Sequence, residues 1–446
     1  MRLGFLCCRG CFLDALKSGS CGVLAKGSGM ADLFCGVDFG TSNSTVSLAD
    51  GVRSWLLPLE GDEVTLPSAV FWEVGGGPPE FGRATIAAYM RGDDGRLMRG
   101  LKSTLGSGLI EEKTAIGGRA VSFRDVLGRF FGHMKRRLDA ATGGMSQVVL
   151  GRPVHFVDDD AGADAKAQAV LEDIAHAQGF RDVAFQYEPI AAALEYERGV
   201  SAEELVLIVD IGGGTSDFSI VRVSPERARA AERAGDILAN DGIRVGGTDF
   251  DRLLSLAEVM PHLGYLTATG QGKALMPRHY YLDLATWHRI NFLYTQRVAA
   301  DLKALGQEAD RPDLIARMSR VVAGRHGHAL AMAVEAAKIA LSDAVVARIA
   351  MAEFTGGPNP LARRERFEAA VAVPVERVLA RIAEVLGQAG LRAAQIGTVF
   401  MTGGSSGLPV LRGVVAAVLP GVAIATGDML GSVGAGLALE ARRRFG

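Results

Sequence analysis

The chain has 446 residues, 48% of them apolar, with 48 Lys and Arg against 50 Asp and Glu. A net charge of −2 gives no global field toward nucleic acid or an anionic surface, and no charge-free apolar run is long enough to read as a membrane span. At about 150 residues per domain, the length predicts roughly three domains or two large lobes.

Residues 1–29 read as an extension or disordered tail, with Met30 as the start of the folded protein. Arg9, Asp14 and Lys17 interrupt what a signal peptide needs as an apolar core. Cys7, Cys8, Cys11 and Cys21 lie in this segment and none follows Cys35, which suits a reducing compartment better than a disulfide framework. A zinc site from those four thiols is conceivable, but the neighbouring sequence offers no His and no paired C-x-x-C.

The first strong pattern is an apolar strand over 33–38 ending in Asp38, a turn at Phe39–Asn43, and an alternating return strand over 44–48. Next comes a helix over 121–141, with Ser122 and Asp125 spaced as a capping box. Strands are predicted at 147–150 and 183–187, with a helix over 161–178 between them. A short helix over 188–198 leads into the strand 205–210. There the first pattern returns: an apolar run ends in Asp210, Gly212-Gly213-Gly214-Thr215 make the turn, and 216–221 form the return strand. A hairpin repeated at this distance indicates a duplicated α/β unit, hence two lobes. Residues 252–343 read as mostly helical, 398–402 as a strand, and 408–418 and 430–444 as helices.

Glycine-rich turns let backbone N–H groups converge on an anion without interference from Cβ. Gly40-Thr41-Ser42-Asn43 and Gly212-Gly213-Gly214-Thr215 can wrap phosphate from two sides. Asp38, Asp210 and Asp217 would repel a bare phosphate, so a hydrated Mg²⁺ between acids and phosphates makes sense of them. Gly246-Gly247 and Gly403-Gly404-Ser405 supply two further turns, the latter after a buried strand where a nucleoside could approach backbone. No G-x-G-x-x-G opens a helix after the first strand and no G-x-x-x-x-G-K-[ST] occurs, which sets aside the Rossmann and P-loop readings. The histidines show no H-E-x-x-H spacing; His326 and His328 read as a chance polar turn, and Phe130-Phe131 and Tyr280-Tyr281 as core aromatics.

GVDFGTSNSTVSL, YEPIAAALEYE, IVDIGGGTSDFSIV, VGGTDFD, EAAKIALS and MTGGSSGLPVL resemble the successive motifs of the DnaK-type heat-shock chaperones, the heat shock protein 70 family. RLMRGLKSTLGS and GRPVHFVDDD look more like its short YegD-type branch. The resemblance covers about 33–440. It implies the actin/hexokinase-like fold, a duplicated ribonuclease-H-like α/β ATPase of two lobes around a central nucleotide cleft. The lobes would be 30–204 and 205–446, with 252–343 the mainly helical part of the second and no peptide-binding domain.

The same resemblance implies roles. Gly40, Thr41, Ser42 and Asn43 would form the first phosphate loop, and Gly212, Gly213, Gly214 and Thr215 the second, with Gly246 and Gly247 beside them. Asp38 and Asp210 would hold Mg²⁺ through water. Glu188, Asp217, Thr215 and Asp38 would serve catalysis. Glu335, Lys338 and Ser342 would clamp the adenosine of ATP or ADP, with Gly403, Gly404, Ser405 and Asp428 completing its pocket. Aligning Phe81-Gly82 with the family pattern puts Ile86 where a γ-phosphate lysine is expected and leaves Lys102 a structural part. Gly407 stands where an adenine-packing arginine is expected. Pro153 matches a signalling proline whose partner arginine aligns near Gln168.

The implied function is an ATP-binding, slowly hydrolysing, cytoplasmic member of that chaperone family. It would be a nucleotide-dependent switch whose lobe closure a partner protein or co-chaperone reads, with neither nucleic acid nor membrane involved. The alternatives are a small-molecule kinase of the sugar type and an actin-like filament former.

Overall fold

The computed structural model describes residues 32–446 except 92, 117–118, 158–159, 231, 271, 273 and 428–430. The expectations for residues 1–29 and for Asp428 fall outside the described residues. The chain starts with β1 (Phe34–Phe39) and β2 (Asn43–Ala49), followed by β3 (Ser54–Leu56) and β4 (Thr65–Pro67). Then come β5 (Ala69–Glu73), β6 (Glu80–Phe81), α1 (Arg83–Arg91), β7 (Gly95–Arg99), β8 (Lys113–Ile116) and β9 (Arg119–Ser122). The first half closes with α2 (Phe123–Thr142), β10 (Gln147–Arg152), α3 (Ala161–Ala177), β11 (Asp182–Tyr187) and α4 (Glu188–Glu197).

The second half opens on β12 (Glu204–Ile211), β13 (Ser216–Val223), β14 (Ile237–Ile243) and α5 (Gly247–Glu258). A largely helical stretch follows: β15 (Ala268–Thr269), β16 (Ala274–Leu275), α6 (Arg278–Ala285), α7 (Gln296–Glu308), α8 (Pro312–Ala323) and α9 (Gly327–Asp343). After it run β17 (Val346–Arg348), α10 (Ala352–Thr355), β18 (Leu361–Arg363), α11 (Arg364–Ala370) and α12 (Ala372–Gln388). Last come β19 (Thr398–Thr402), α13 (Pro409–Val418), β20 (Ala423–Thr426) and α14 (Ser432–Phe445).

The two main sheets have the same plan. The first runs β11-β10-β1-β2-β3 and the second β20-β19-β12-β13-β14. In each, an antiparallel hairpin carries parallel strands on its leading side: β1 pairs β2 antiparallel and β10 parallel, and β12 pairs β13 antiparallel and β19 parallel. This is the duplicated, two-lobed actin-like ATPase fold. The strands ending in Asp38 and Asp210 occupy matching central positions, so both acids emerge at the end of a sheet's middle strand.

The local signals act as their chemistry dictates. Ser122 caps α2 by accepting from Asp125 N at 3.0 Å, while the Asp125 carboxylate accepts from Ser122 N. Phe130 and Phe131, on the inner face of α2, pack with Phe39 at ring-centroid distances of 5.9 and 5.2 Å. The stretch 252–343 is helical as expected apart from the small β15-β16 hairpin.

Two helices join the halves. α4 follows the first sheet yet packs on β13 of the second, while α14 follows the second sheet and packs on β1, β2 and β10 of the first. Ile190–Ala193, Val206, Ile208, Phe400, Val433 and Leu437 form the apolar core shared between them. Ser47 Oγ donates to Gly434 O at 2.5 Å, fixing α14 against β2. A Cβ on Gly436 would overlap the Ala191 carbonyl, so the two helices meet backbone to backbone. Among the described residues, no helix is long and apolar enough to cross a membrane.

Candidate functional site

The hairpin turns of the two sheets face each other. A Cβ on Gly213 would overlap Ser42 Oγ, so the Gly40–Asn43 and Gly212–Thr215 turns are in direct apposition. Asp38 Oδ1 and Glu188 Cγ both lie beside Gly151, at 3.6 and 3.4 Å from where its Cβ would be, because β10 runs between β1 and the start of α4. Asp210 and Asp217 stand opposite each other in the β12-β13 register, and Thr215 Oγ1 donates to Asp217 Oδ2 at 3.2 Å. Gly403, at φ 82°, brings its turn against Asp210 Oδ1 and Ile211 O. Asp38, Glu188, Asp210 and Asp217 therefore form one acidic cluster between the turns.

The cation in that cluster is Lys102. After β7, the chain turns at Gly100 (φ 67°) into a single helical turn, Leu101–Thr104, which aims Lys102 at the acids. Its Nζ donates to Glu188 Oε1 at 2.6 Å, with both side chains mostly buried. Burial alone would lower the ammonium pKa, but the carboxylates of Glu188, Asp38 and Asp217 outweigh it, and the net direction is up. The expectation that Ile86 stands at the cation position is overturned. Ile86 lies on α1, and Lys102, given a structural part from the sequence, is the amine among the acids.

The acids respond in the opposite direction to a simple ion pair. Burial, then the neighbouring Glu188, pushes Asp38 up to about 7 against the pull of Lys102. Burial together with Asp217, Glu188 and Asp38 pushes Asp210 up to about 8. One lysine does not neutralise four acids, so the cluster favours a further cation. Among the described residues, no group of three acids, His or Cys closes to direct metal-ligand spacing. Carboxylates clustered but not convergent suit a hydrated Mg²⁺ held through its waters, and the donor set fits that ion.

The remaining turns stitch onto the second loop. Gly247 N donates to Gly212 O at 2.9 Å, and Thr248 N to Gly213 O at 2.8 Å. Ser405 N donates to Ile211 O at 3.0 Å and Ser405 Oγ to Gly212 O at 3.4 Å. Lys338, reaching in from α9, donates to Gly247 O at 3.3 Å and Asp251 Oδ2 at 3.0 Å. Asp251 is pushed up to about 6, chiefly by burial, with Lys338 opposing and Glu335 adding to the rise. The structure thus brings Gly212, Gly213, Gly246, Gly247, Lys338, Gly403 and Ser405 together, with Glu335 beside them. Among the described residues, no hydrogen bond ties Thr41, Gly404 or the Ser342 hydroxyl to the rest; the Ser342 carbonyl instead accepts from Arg364 Nη2 at 3.1 Å.

Sequence reasoning missed the contacts that cross the cleft. Tyr89, on α1, donates its hydroxyl to Asn291 Oδ1 and sets its ring edge-on to His328 at 4.6 Å. The Arg99 guanidinium covers the Trp287 ring at 4.6 Å, close enough to Glu335 and Asp251 for both to oppose the lowering of its pKa by burial. His328 is not part of a chance polar turn: it is buried in α9, edge-on to Trp287 at 4.7 Å and within 3.1 Å of the Trp287 carbonyl. Aromatics scattered among helices carry no periodic signature, so nothing in the sequence paired them.

At Pro153, a guanidinium is supplied from the adjacent position. Arg152 Nε donates to Pro153 O at 3.1 Å and Arg152 Nη1 to Gln168 Oε1, while its plane lies 5.2 Å from the Tyr187 ring centroid.

Residues 131–256 match the family profile of the MreB/Mbl protein, and residues 324–428 that of the Hsp70 protein. The chain is similar to the chaperone protein HscA homolog of Azotobacter vinelandii, 27% identical over 404 residues, which is 85% of this chain and 53% of that protein. It is also similar to the chaperone protein HscA of Klebsiella pneumoniae, 26% identical over 400 residues, 85% of this chain and 53% of the relative. HscA of Pectobacterium carotovorum is 29% identical over 277 residues, 62% of this chain and 33% of the relative. The chain spans about half the length of the first two. The Hsp70 match runs from α9 through the Gly403 turn, the region that closes the cleft on the second sheet. With the doubled sheet and the chaperone relatives, it makes the chain similar to the Hsp70 family.

Proposed function

We propose that the chain is a nucleotide-dependent switch of this family, binding ATP and ADP with Mg²⁺ in the cleft and hydrolysing ATP slowly. The observation that carries the reading is Lys102 paired with Glu188 inside the acid cluster, at the point where Ser42 and Gly213 bring two glycine turns face to face. Backbone N–H groups of Gly40–Asn43 and Gly212–Thr215 hold the phosphates. Lys102 sets positive charge at the transferring phosphoryl group, where it counts most in a water-poor site. Glu188, Asp217 and Thr215 orient the attacking water, and Asp38 and Asp210 hold hydrated Mg²⁺, which supplies further charge neutralisation when bound. Glu335, Lys338, Ser342, Gly403, Gly404, Ser405 and Asp428 receive the adenosine. Lobe boundaries at 30–204 and 205–446, a YegD-like branch, a cytoplasmic setting and a protein partner that senses lobe closure belong to the same reading.

Calorimetry with ATP and ADP, with and without Mg²⁺, alongside phosphate release on protein starting at Met30, tests it. Mg-dependent binding with slow release is the expected result; absence of nucleotide binding would sink the proposal. The MreB/Mbl match over 131–256 gives the actin-like reading its own check. Light scattering should stay flat on adding Mg-ATP, and ATP-dependent growth would favour a filament former instead.

A further inference from the structure

Away from the cleft, α2, α3 and the β5-β6 connection enclose a trough of about 740 Å³. It is not a packing defect, because its floor and charges are arranged. Gly128 and Gly132, one turn apart on α2, leave the helix bare there. A Cβ on Gly132 would lie 2.5 Å from Gln178 Oε1 and 3.4 Å from Arg136 Nη1, so the Gln178 amide and the Arg136 guanidinium are folded over the bare helix into the trough. Pro78, Pro79 and Phe81 form an apolar wall.

The acids that also line the trough are already engaged. Asp173 is 3.3 Å from Arg124, which in turn holds Glu111 at 2.7 Å, and the Asp125 carboxylate caps the Ser122 N–H. Arg129 and Arg136 have no carboxylate partner among the described residues, and the Gln178 amide has no hydrogen-bond partner there either. His133 stacks on Phe81 at 4.6 Å, and burial, then Arg137 and Arg136, hold its imidazole down to about 4.

We infer that this trough is a docking site for an extended acidic segment of a partner protein. Arg129 and Arg136 are seven residues apart on one helix, which at 1.5 Å rise spaces them by roughly 10 Å. Acids at every third position of a polyproline II segment lie about 9 Å apart on one side, so one such segment meets both guanidiniums. The Gln178 amide supplies one donor and one acceptor for a peptide bond between them. The prolines and Phe81 give the segment an apolar wall, which a free phosphate would not use.

The test is fluorescence anisotropy of a short fluorescein-labelled peptide with glutamate at every third position, added to full-length protein at low salt. Saturable binding is expected, with a loss of about threefold to fivefold for Arg136→Ala, in line with partly exposed charge pairs. Arg129→Glu with Arg136→Glu should abolish it, while the thermal melt and ADP affinity stay unchanged. Gly128→Phe, which fills the trough without touching the charges, should also block it. Equal binding of the glutamine version of the peptide, or of the double charge-reversal variant, would overturn the proposal. So would no binding at all, or tighter binding of a single-stranded oligonucleotide.

Discussion

Lys102 is the one ammonium among four acids, and its placement sets two expectations at the scale of single residues. Lys102→Ala removes the side-chain cation paired inside the acid cluster. Steady-state phosphate release should fall about a hundredfold to a thousandfold, the cost of losing one preorganised donor, while calorimetry finds ADP affinity changed only a few-fold. The second expectation concerns pH. Asp38 and Asp210 titrate near 7 and 8 in the folded, metal-free protein and near 4 in the unfolded chain. Folded protein therefore keeps protons that unfolded protein has released, so this contribution to stability is complete below about pH 4 and is lost as pH rises to about 8. Thermal melts in EDTA without nucleotide should drop across that range, and Asp210→Asn should flatten the drop. The acids themselves were legible in the sequence because each ends an apolar strand before a glycine turn. Lys102 was not, because counting forward from Gly82 ignores α1 and β7. Those elements carry the chain away and bring it back sixteen positions later than the count assumed.

At the scale of elements, α1 and β7 from the first half reach α9 and the Trp287–Leu293 turn from the second through Tyr89, Arg99, Trp287, Asn291 and His328. A guanidinium over an indole contributes about 0.5–2 kcal/mol depending on burial. Trp287→Ala should therefore speed ADP release about threefold to thirtyfold, read by stopped flow with a fluorescent ADP. Single-turnover hydrolysis of ATP already bound should be unaffected. An unchanged release rate would mean these contacts do not hold the cleft shut. The regular elements were readable for physical reasons: alternation marked β2 and β13, and a reciprocal cap marked the start of α2. Where the pattern was only helical, as in 252–343, periodicity gave the class of structure but neither the short β15-β16 pairing nor which helix faces the cleft.

For the whole molecule, the duplication was visible as two strand-turn-strand units, and five strands of each sheet repeat the same order, with β4 an addition on β2 of the first. What no sequence period announced is the exchange at the seam between halves, with α4 lying on strands of both sheets and α14 on the first. Gly436→Ala would force the α4 and α14 backbones apart. It should cost about 1–3 kcal/mol, the usual range for overpacking, seen as a lower denaturant midpoint. The exchange also bears on how the protein is made. Strands β1, β2 and β10 leave the ribosome early, but the helix that covers them, Ser432–Phe445, is synthesised after every strand of the second sheet. The half that is translated first is completed last. During elongation its sheet face stays open until Ser432–Phe445 emerges, which leaves that face prone to association.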